Sequence, residues 1–318
     1  MRRLVMAAGI AAALMGFASL PAAAAPKVVV SILPIHSLVA GVMQGVAEPA
    51  LLVPVGASPH TYAMKPSDAR LLQSADVVVW VGEHLENYLE KPLESLAGKA
   101  TIVEIIALPG IDLLTTRSGG AFEPHLHAGH SHGHAHGKKG GHEEPEPDVH
   151  IWLDPDNARV IVGEMVSLLS RIDGANAAKY AANGRAIEAR LAALDASVKS
   201  RLAPVRDRAY IVFHDAYQYF ERHFGTKIVG AVTVSPDQTP SAKRVTELRK
   251  RIRTASAVCV FREPQFPAPI IDTLVSTTGA KVGVLDPEGA NLDPGPDAYF
   301  TLMERIADSL AGCLKPGA

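Results

Sequence analysis

Residues 175–204 read ANAAKYAANGRAIEARLAALDASVKSRLAP, and they divide the chain into two similar halves. Apolar residues recur in this stretch every three or four positions, which places them on one face of an α-helix. These residues are Ile187, Leu191, Leu194, Val198 and Leu202. Pro204 cannot continue a helix, so we expect the helix to end just before it. At 1.5 Å per residue, the predicted helix is a rod of about 40 Å, roughly as long as a small domain is wide.

Short β-rich runs alternate with helical segments on both sides of this rod. The β-rich runs cover residues 27–32, 49–54, 75–81 and 101–106 before it, and 209–213, 227–232, 257–261 and 281–285 after it. The helical segments cover residues 36–45, 66–74, 86–97, 158–172, 215–224, 240–254 and 267–278. Such alternation predicts parallel sheets with helices on both faces.

We therefore predict an α/β fold with two lobes, each with a mainly parallel four-stranded sheet flanked by helices. The long rigid α-helix joins the lobes and limits their relative motion. The predicted N-terminal lobe spans residues 25–173, the linker helix spans 174–203, and the C-terminal lobe spans 204–318.

Residues 1–24 have the pattern of a secretory signal peptide, with a positive start, an apolar run and small residues at the end. An uncleaved membrane anchor is the alternative. No later apolar run approaches the roughly 20 residues that span a bilayer. We expect the mature chain to be periplasmic, without membrane insertion. The formal net charge of −2 for the full sequence gives no field that would recruit nucleic acid.

Seven histidines are concentrated in residues 123–147, a stretch that is otherwise rich in glycine and charged residues. They are His125, His127, His130, His132, His134, His136 and His142. The stretch has neither helix nor strand periodicity and too few apolar residues to bury a face, so we predict a disordered loop. A solvated polar linker is the alternative. Neutral imidazole is a good ligand for borderline metals such as zinc, so we favour an auxiliary metal-binding loop.

Four further residues have metal-ligating side chains and lie either just after a predicted strand or where the chain returns to order after the histidine-rich loop. They are His60, His150, His214 and Asp286, two from each lobe. Ligands of open parallel sheets bind beyond the carboxyl ends of the strands, so these side chains are expected to meet in the cleft between the lobes. Three imidazoles and a carboxylate form a plausible tetrahedral zinc site. His36 and His223 fall in predicted helices and are set aside as ordinary side chains.

The chain has two cysteines, Cys259 and Cys313. An oxidising compartment favours a disulfide between them, which would staple the C-terminus to a sheet. Two buried free thiols are the alternative.

Several stretches resemble the metal-binding receptors of bacterial ABC importers, and most closely the zinc-specific branch. They include VPVGASPHTYAMKPSDARLLQSADVVVWVG, DVHIWLDPDNA, VFHDAYQYFERHFG, TVSPDQTPSAKRVTELR and VGVLDPEG. The resemblance covers nearly the whole mature chain, and the histidine-rich loop is typical of the zinc branch. It places the family's ligands on His60, His150, His214 and Asp286. It also implies a disulfide between Cys259 and Cys313, and an inner-membrane permease as partner.

The resemblance leads us to expect a monomeric periplasmic receptor that binds Zn(II) and delivers it to an ABC permease. In some members, water or another carboxylate replaces the aspartate matching Asp286. Two alternative functions are a periplasmic zinc buffer or chaperone and a zinc-dependent hydrolase. The sequence has no H-E-x-x-H or G-x-S-x-G motif, which disfavours the hydrolase.

Overall fold

The computed structural model describes residues 24–117, 122, 146–233, 236, 240–267 and 269–316. The predicted signal peptide, apart from Ala24, lies outside these residues, and so do all seven histidines of the predicted auxiliary loop. No helix within the described ranges is long and apolar enough to cross a membrane.

The N-terminal lobe is built on a parallel sheet with the strand order β2-β1-β3-β4. Its strands are β1 (Val28–Val30), β2 (Ala50–Leu51), β3 (Val77–Trp80) and β4 (Thr101–Glu104). Its helices are α1 (Leu33–Met43), α2 (Pro66–Ser74), α3 (Glu90–Leu96) and α4 (Pro155–Ile172). The central strands β1 and β3 are buried along their whole length, as expected of strands covered by helices on both faces.

The C-terminal lobe repeats this plan, with the strand order β6-β5-β7-β8 in a second parallel sheet. Between the lobes runs helix α5 (Ala177–Leu202). The strands of the second sheet are β5 (Ala209–His214), β6 (Lys227–Thr233), β7 (Cys259–Arg262) and β8 (Lys281–Val284). The helices of this lobe are α6 (Gln218–Phe224), α7 (Ala242–Thr254), α8 (Pro269–Ser276) and α9 (Ala298–Leu314). The predicted α/β class and the two parallel four-stranded sheets are confirmed.

The long helix begins slightly later than predicted, because residues Gly174–Asn176 form a short 3₁₀ turn before it. Its 26 residues correspond to a length of about 39 Å. All five residues of the predicted apolar stripe are buried. Gly184 is also buried, and a Cβ added there would lie 2.6 Å from Cγ2 of Val166 on α4. The glycine therefore allows α4 and α5 to approach closely.

The C-terminal helix α9 packs on both α5 and α1, so it connects the second sheet to the first lobe. Tyr299 on α9 makes two of these contacts with the first lobe: its backbone N–H donates to Ser37 Oγ at 2.9 Å, and its hydroxyl donates to the Trp152 carbonyl at 3.0 Å. The predicted disulfide is present, and it joins Cys259 on β7 to Cys313 on α9. The chain-entropy model gives a bridge over 54 residues a contribution of about 4 kcal/mol to stability.

Candidate metal centre

The three candidate histidines reach the cleft from three different kinds of local structure. His214 is the last residue of β5, and His150 precedes the short turn Ile151–Leu153 that leads into α4. His60 lies in the loop after β2, where its backbone N–H donates to Ser58 Oγ at 3.3 Å. His150 and His214 are buried, and His60 is half-buried. The site is thus set into the cleft, with one partly accessible imidazole.

The three imidazole rings converge on one point. Their ring centroids are 5.2 Å apart for His150 and His214, 5.5 Å for His60 and His150, and 5.6 Å for His60 and His214. One ring nitrogen from each histidine lies within 4.8 Å of the other two. The Nε2 atoms of His150 and His214 are 3.3 Å apart. A tetrahedral zinc ion with Zn–N distances of about 2.0–2.1 Å separates neighbouring nitrogens by about 3.3–3.4 Å.

Two carboxylates fix the orientation of the buried rings. His150 Nδ1 donates to Asp148 Oδ1 at 2.8 Å, and both Glu263 oxygens lie 2.7 Å from His214 Nδ1. An ionised carboxylate accepts hydrogen bonds but has no proton to donate, so both Nδ1 atoms carry the ring proton. Both Nε2 atoms then turn lone pairs into the cleft. Carboxylate–histidine pairs of this kind orient metal ligands and raise the basicity of the imidazole.

The facing lone pairs call for a cation. With both protons held at Nδ1, neither Nε2 of His150 and His214 can donate a hydrogen bond to the other across their separation of 3.3 Å. Two acceptors at that distance repel each other unless a positive charge lies beside them. A divalent metal removes the repulsion and completes the coordination of both rings. The chemistry of these donors therefore fits a nitrogen-rich metal site.

Asp286 follows β8 as predicted, but it is not among the residues whose ligand atoms lie within 4.8 Å of one another. Its Oδ1 accepts the Gln265 amide at 2.8 Å and the backbone N–H groups of Glu288 and Gly289. Its Oδ2 accepts the backbone N–H of Ala290 at 2.6 Å. The carboxylate therefore shapes the loop after β8 in this structure, with one lone pair of Oδ2 left for a further partner.

The surroundings of the three imidazoles are strongly acidic. Glu288 is buried, and burial raises the pKa of its carboxyl well above the ordinary value, with the nearby charges of Glu263 and Asp286 adding to the shift. Tyr217 is also buried, and the pKa of its hydroxyl is raised by burial and by the same carboxylates. The negative charges of Glu263 and Asp286 that raise these pKa values also make a bound cation more favourable, because they attract positive charge into the cleft.

Sequence reasoning did not identify Asp148. Its signal is local: an aspartate two positions before His150, whose Oδ1 accepts the backbone N–H of His150 at 3.1 Å in an Asx turn. Glu263 directly follows β7, the strand next to β5, and its carboxylate therefore lies beside His214. The aspartate beside His214 is not a helix-start residue, since α6 begins only at Gln218. Asp215 instead pairs with Arg117 of the other lobe.

His223, set aside in the sequence as an ordinary side chain, lies in a second acidic cluster. Its Nδ1 is 2.9 Å from Asp154 Oδ1, and its Nε2 is 2.6 Å from Asp195 Oδ1. Both nitrogens donate to carboxylates, so the ring is an imidazolium ion with no lone pair for a metal. The other histidine set aside, His36, is buried and bonds through Nε2 to the Pro49 carbonyl at 2.9 Å.

The sequence and the fold both match known proteins. The family model for the periplasmic component A of the zinc-uptake complex, ZnuA, matches residues 28–313. The chain is 42% identical over 305 residues to the high-affinity zinc uptake system protein ZnuA of Brucella suis, with 91% of each chain covered. It is 36% identical over 294 residues to the protein of the same name from Yersinia pestis, with 92% of each covered.

Solved structures share the fold. A crystal structure of ZnuA aligns with a TM-score of 0.75 at 24% identity, over 92% of this chain and 100% of that one. The periplasmic zinc binding protein TroA from Treponema pallidum aligns with a TM-score of 0.75 at 23% identity, with the same coverage. Together with the family match over residues 28–313, these comparisons show that the chain belongs to the ZnuA family of periplasmic zinc-uptake components.

Proposed function

We propose that this chain is a periplasmic receptor that binds Zn(II) in the cleft between its lobes and delivers it to an inner-membrane ABC permease. The observation that carries the proposal is the pair of inward Nε2 atoms of His150 and His214, 3.3 Å apart. Each ring has its Nδ1 proton committed to a carboxylate. His60 supplies the third nitrogen from the more accessible side. The relatives named above are called zinc uptake proteins, which supports the choice of cargo.

The fourth ligand is Asp286 or a water molecule. Asp286 keeps its backbone contacts through Oδ1 in either case, because Oδ1 accepts three of its four hydrogen bonds. The proposed mature protein begins after the signal peptide and acts as a monomer. The histidines between residues 123 and 147 form an auxiliary site that collects zinc weakly. Seven weak ligands on one segment of the same chain raise the chance that a released ion binds again.

The receptor has no chemical step to perform, and the family to which it belongs is a component of uptake complexes rather than a family of enzymes. Delivery of zinc to a permease distinguishes this receptor from a periplasmic zinc buffer, which would bind zinc without passing it to an importer. Deletion of the gene in a strain without another zinc importer should impair growth under zinc chelation. Unimpaired growth would favour the buffer, and sustained metal-dependent turnover of esters, amides or phosphates by the purified protein would favour the hydrolase.

The test of zinc binding is a competitive titration of the mature protein without residues 123–147, so that only the cleft is measured. We expect one tightly bound Zn(II), and we expect replacement of His60, His150 and His214 by alanine to abolish it. Protons compete with metal for imidazole nitrogens, so affinity should fall as the pH drops from 7.5 to 5. An affinity that is independent of pH over this range would contradict coordination by three histidines.

A further inference from the structure

Helix α6 belongs to the C-terminal lobe, yet its polar side chains contact the other lobe. Gln218 Nε2 donates to the Thr115 carbonyl at 3.1 Å, and Arg222 pairs with Asp112. The helix begins four residues after the candidate ligand His214. It therefore joins the end of β5 to the segment around residues 112–117, from which the chain runs into the histidine-rich stretch.

The segment around residues 112–117 pairs with residues 146–148, by which the chain returns from the histidine-rich stretch. The Asp148 backbone N–H donates to the Leu114 carbonyl at 2.8 Å, and the Thr116 N–H donates to the Glu146 carbonyl at 2.8 Å. Thr115 and Pro147 form an antiparallel bridge. The two arms lie side by side, and the returning arm leads directly to His150.

One hydroxyl on α6 holds both arms. Tyr219 is 1% exposed. Its hydroxyl oxygen accepts the Leu114 N–H at 2.9 Å, and its proton is donated to the Asp148 carbonyl at 2.8 Å. Asp148 in turn accepts the Nδ1 proton of His150 through its side chain. A continuous series of bonds thus runs from the helix after His214, through Tyr219 and Asp148, to His150.

We propose that Tyr219 is a positioning residue for the metal site, whose hydroxyl fixes His150 relative to His214 across the boundary between the lobes. The inference rests on the proposed function, and it explains how the distance and orientation between these two metal ligands are fixed. Two other contacts of α6 with the first lobe are weaker candidates. The pair of Arg222 and Asp112 is half exposed at both side chains, so solvent screens it. The bond from Gln218 also lies at the surface.

The test compares Tyr219→Phe with Tyr210→Phe in the full mature chain. Tyr210 is the matched control, because it is fully buried and, among the described residues, its hydroxyl bonds only to Thr226, 2.9 Å away in the C-terminal lobe. The histidine-rich stretch is identical in all proteins, so differences report on the cleft. The measurements are zinc affinity against a strong chelator, the intensity of the Co(II) ligand-field absorption, and the midpoint of urea unfolding.

We expect Tyr219→Phe to weaken zinc binding about tenfold, at the low end of the losses seen when groups that support metal ligands are removed. The Co(II) absorption should fall or shift as the ligand set loosens. Tyr210→Phe should keep the zinc affinity and the Co(II) absorption of the parent, although its unfolding midpoint falls too. Adding Asp148→Ala should make the effect of Tyr219→Phe on affinity smaller, because the route to His150 is then already cut.

Equal zinc affinity and an equal Co(II) spectrum in the parent and Tyr219→Phe would overturn the inference. So would a Tyr219→Phe protein without a cooperative unfolding transition, since the hydroxyl would then serve the fold as a whole. If the fold-losses in zinc affinity caused by Tyr219→Phe and Asp148→Ala simply multiply in the double variant, the two residues act independently, and this too would overturn the inference. A parent protein that fails to bind zinc would instead overturn the proposed function, so the two failures are distinguishable.

Discussion

Two carboxylates determine which nitrogen of each buried imidazole faces the cleft. Glu263 is 2% exposed and contacts His214 Nδ1 through both oxygens. Asp148 does the same for His150 through one oxygen. Without them, each ring could carry its proton on either nitrogen, and part of the population would present an N–H to the metal. The orienting carboxylates therefore lower the cost of assembling the site.

Replacement Glu263→Gln should weaken zinc binding by about tenfold or more, because the uncharged amide holds the Nδ1 proton of His214 less firmly than the carboxylate does. Competitive titration of the protein without residues 123–147 measures this directly. Glu247→Gln is the control, since Glu247 is exposed on α7 and pairs with Lys243 at 4.0 Å, its one ion-pair partner in the part of the chain that the structure describes. Zinc affinities that agree between the two variants would show that Glu263 does not act through His214.

The sequence indicated the positions of the candidate ligands more readily than the contacts between residues that are far apart along the chain. His214 could be placed because a buried apolar run, AYIVF, ends directly before it, and parallel strands bring their carboxyl ends to one edge. The interaction of His223 with Asp195 could not be predicted, since the two are 28 residues apart on different helices. Their contact depends on how α5 and α6 pack, which local patterns do not encode.

The packing of helix α4 against helix α5 depends on Gly184. Gly184→Ala gains helix propensity but forces a Cβ to within 2.6 Å of Val166. Overpacking of this kind costs about 1–3 kcal/mol and exceeds the roughly 1 kcal/mol gained from propensity. We therefore expect a net loss in the free energy of unfolding, measured by urea denaturation.

Gly163 on α4 is the matched control for that substitution. It is exposed, and a Cβ added there meets nothing within 4 Å. Gly163→Ala should therefore stabilise the protein by up to about 1 kcal/mol. Adding Val166→Ala to Gly184→Ala should recover part of the loss. If Gly184→Ala stabilises the protein as much as Gly163→Ala does, α4 and α5 are not packed tightly against each other at Gly184.

His223 joins three elements, since it lies on α6, Asp154 caps α4, and Asp195 lies on α5. Burial alone lowers the pKa of this imidazole, but hydrogen bonds and charges from Asp154 and Asp195 outweigh burial and raise it. Asp156, 3.7 Å from Nδ1, adds negative charge, and Lys199 also bonds to Asp195. The folded protein therefore holds this proton more tightly than the unfolded chain does.

A raised pKa in the folded state gives stability that is fully present below the unfolded value of about 6.5 and is lost as the pH rises through the folded value. His223→Gln should therefore destabilise the protein most near pH 6, by about 2 kcal/mol. The difference from the parent should shrink at alkaline pH. Urea denaturation at pH 6 and pH 9 measures this, and a difference that grows with pH would contradict a charged His223.

The elements themselves were predicted well, and the deviations have local causes. The run at residues 49–54 was expected to be a full strand, but β2 is only Ala50–Leu51. The chain nevertheless continues beside β1, since the Leu52 N–H donates to the Val30 carbonyl and the Val53 N–H to the Ser31 carbonyl. Pro54 lies directly after these residues and has no N–H with which to continue the pairing.

The two lobes share one hydrophobic core. Val79 in the first sheet, Leu191 on α5 and Tyr210 in the second sheet belong to the same buried cluster. Helix α9 adds to it and is tied to β7 by the disulfide. Separation of the lobes would expose this shared surface to water, at a cost of about 25 cal/mol for each Å². We therefore expect zinc to enter and leave by rearrangement near His60 rather than by hinge opening.

We propose that His60, His150 and His214 bind one zinc ion together. Anomalous diffraction from zinc-loaded crystals of the mature protein without residues 123–147, collected on both sides of the zinc absorption edge, locates that ion. We expect one strong anomalous peak about 2.0–2.2 Å from Nε2 of His150, Nε2 of His214 and a ring nitrogen of His60. A fully occupied zinc ion elsewhere, with these three imidazoles free of metal, would contradict it.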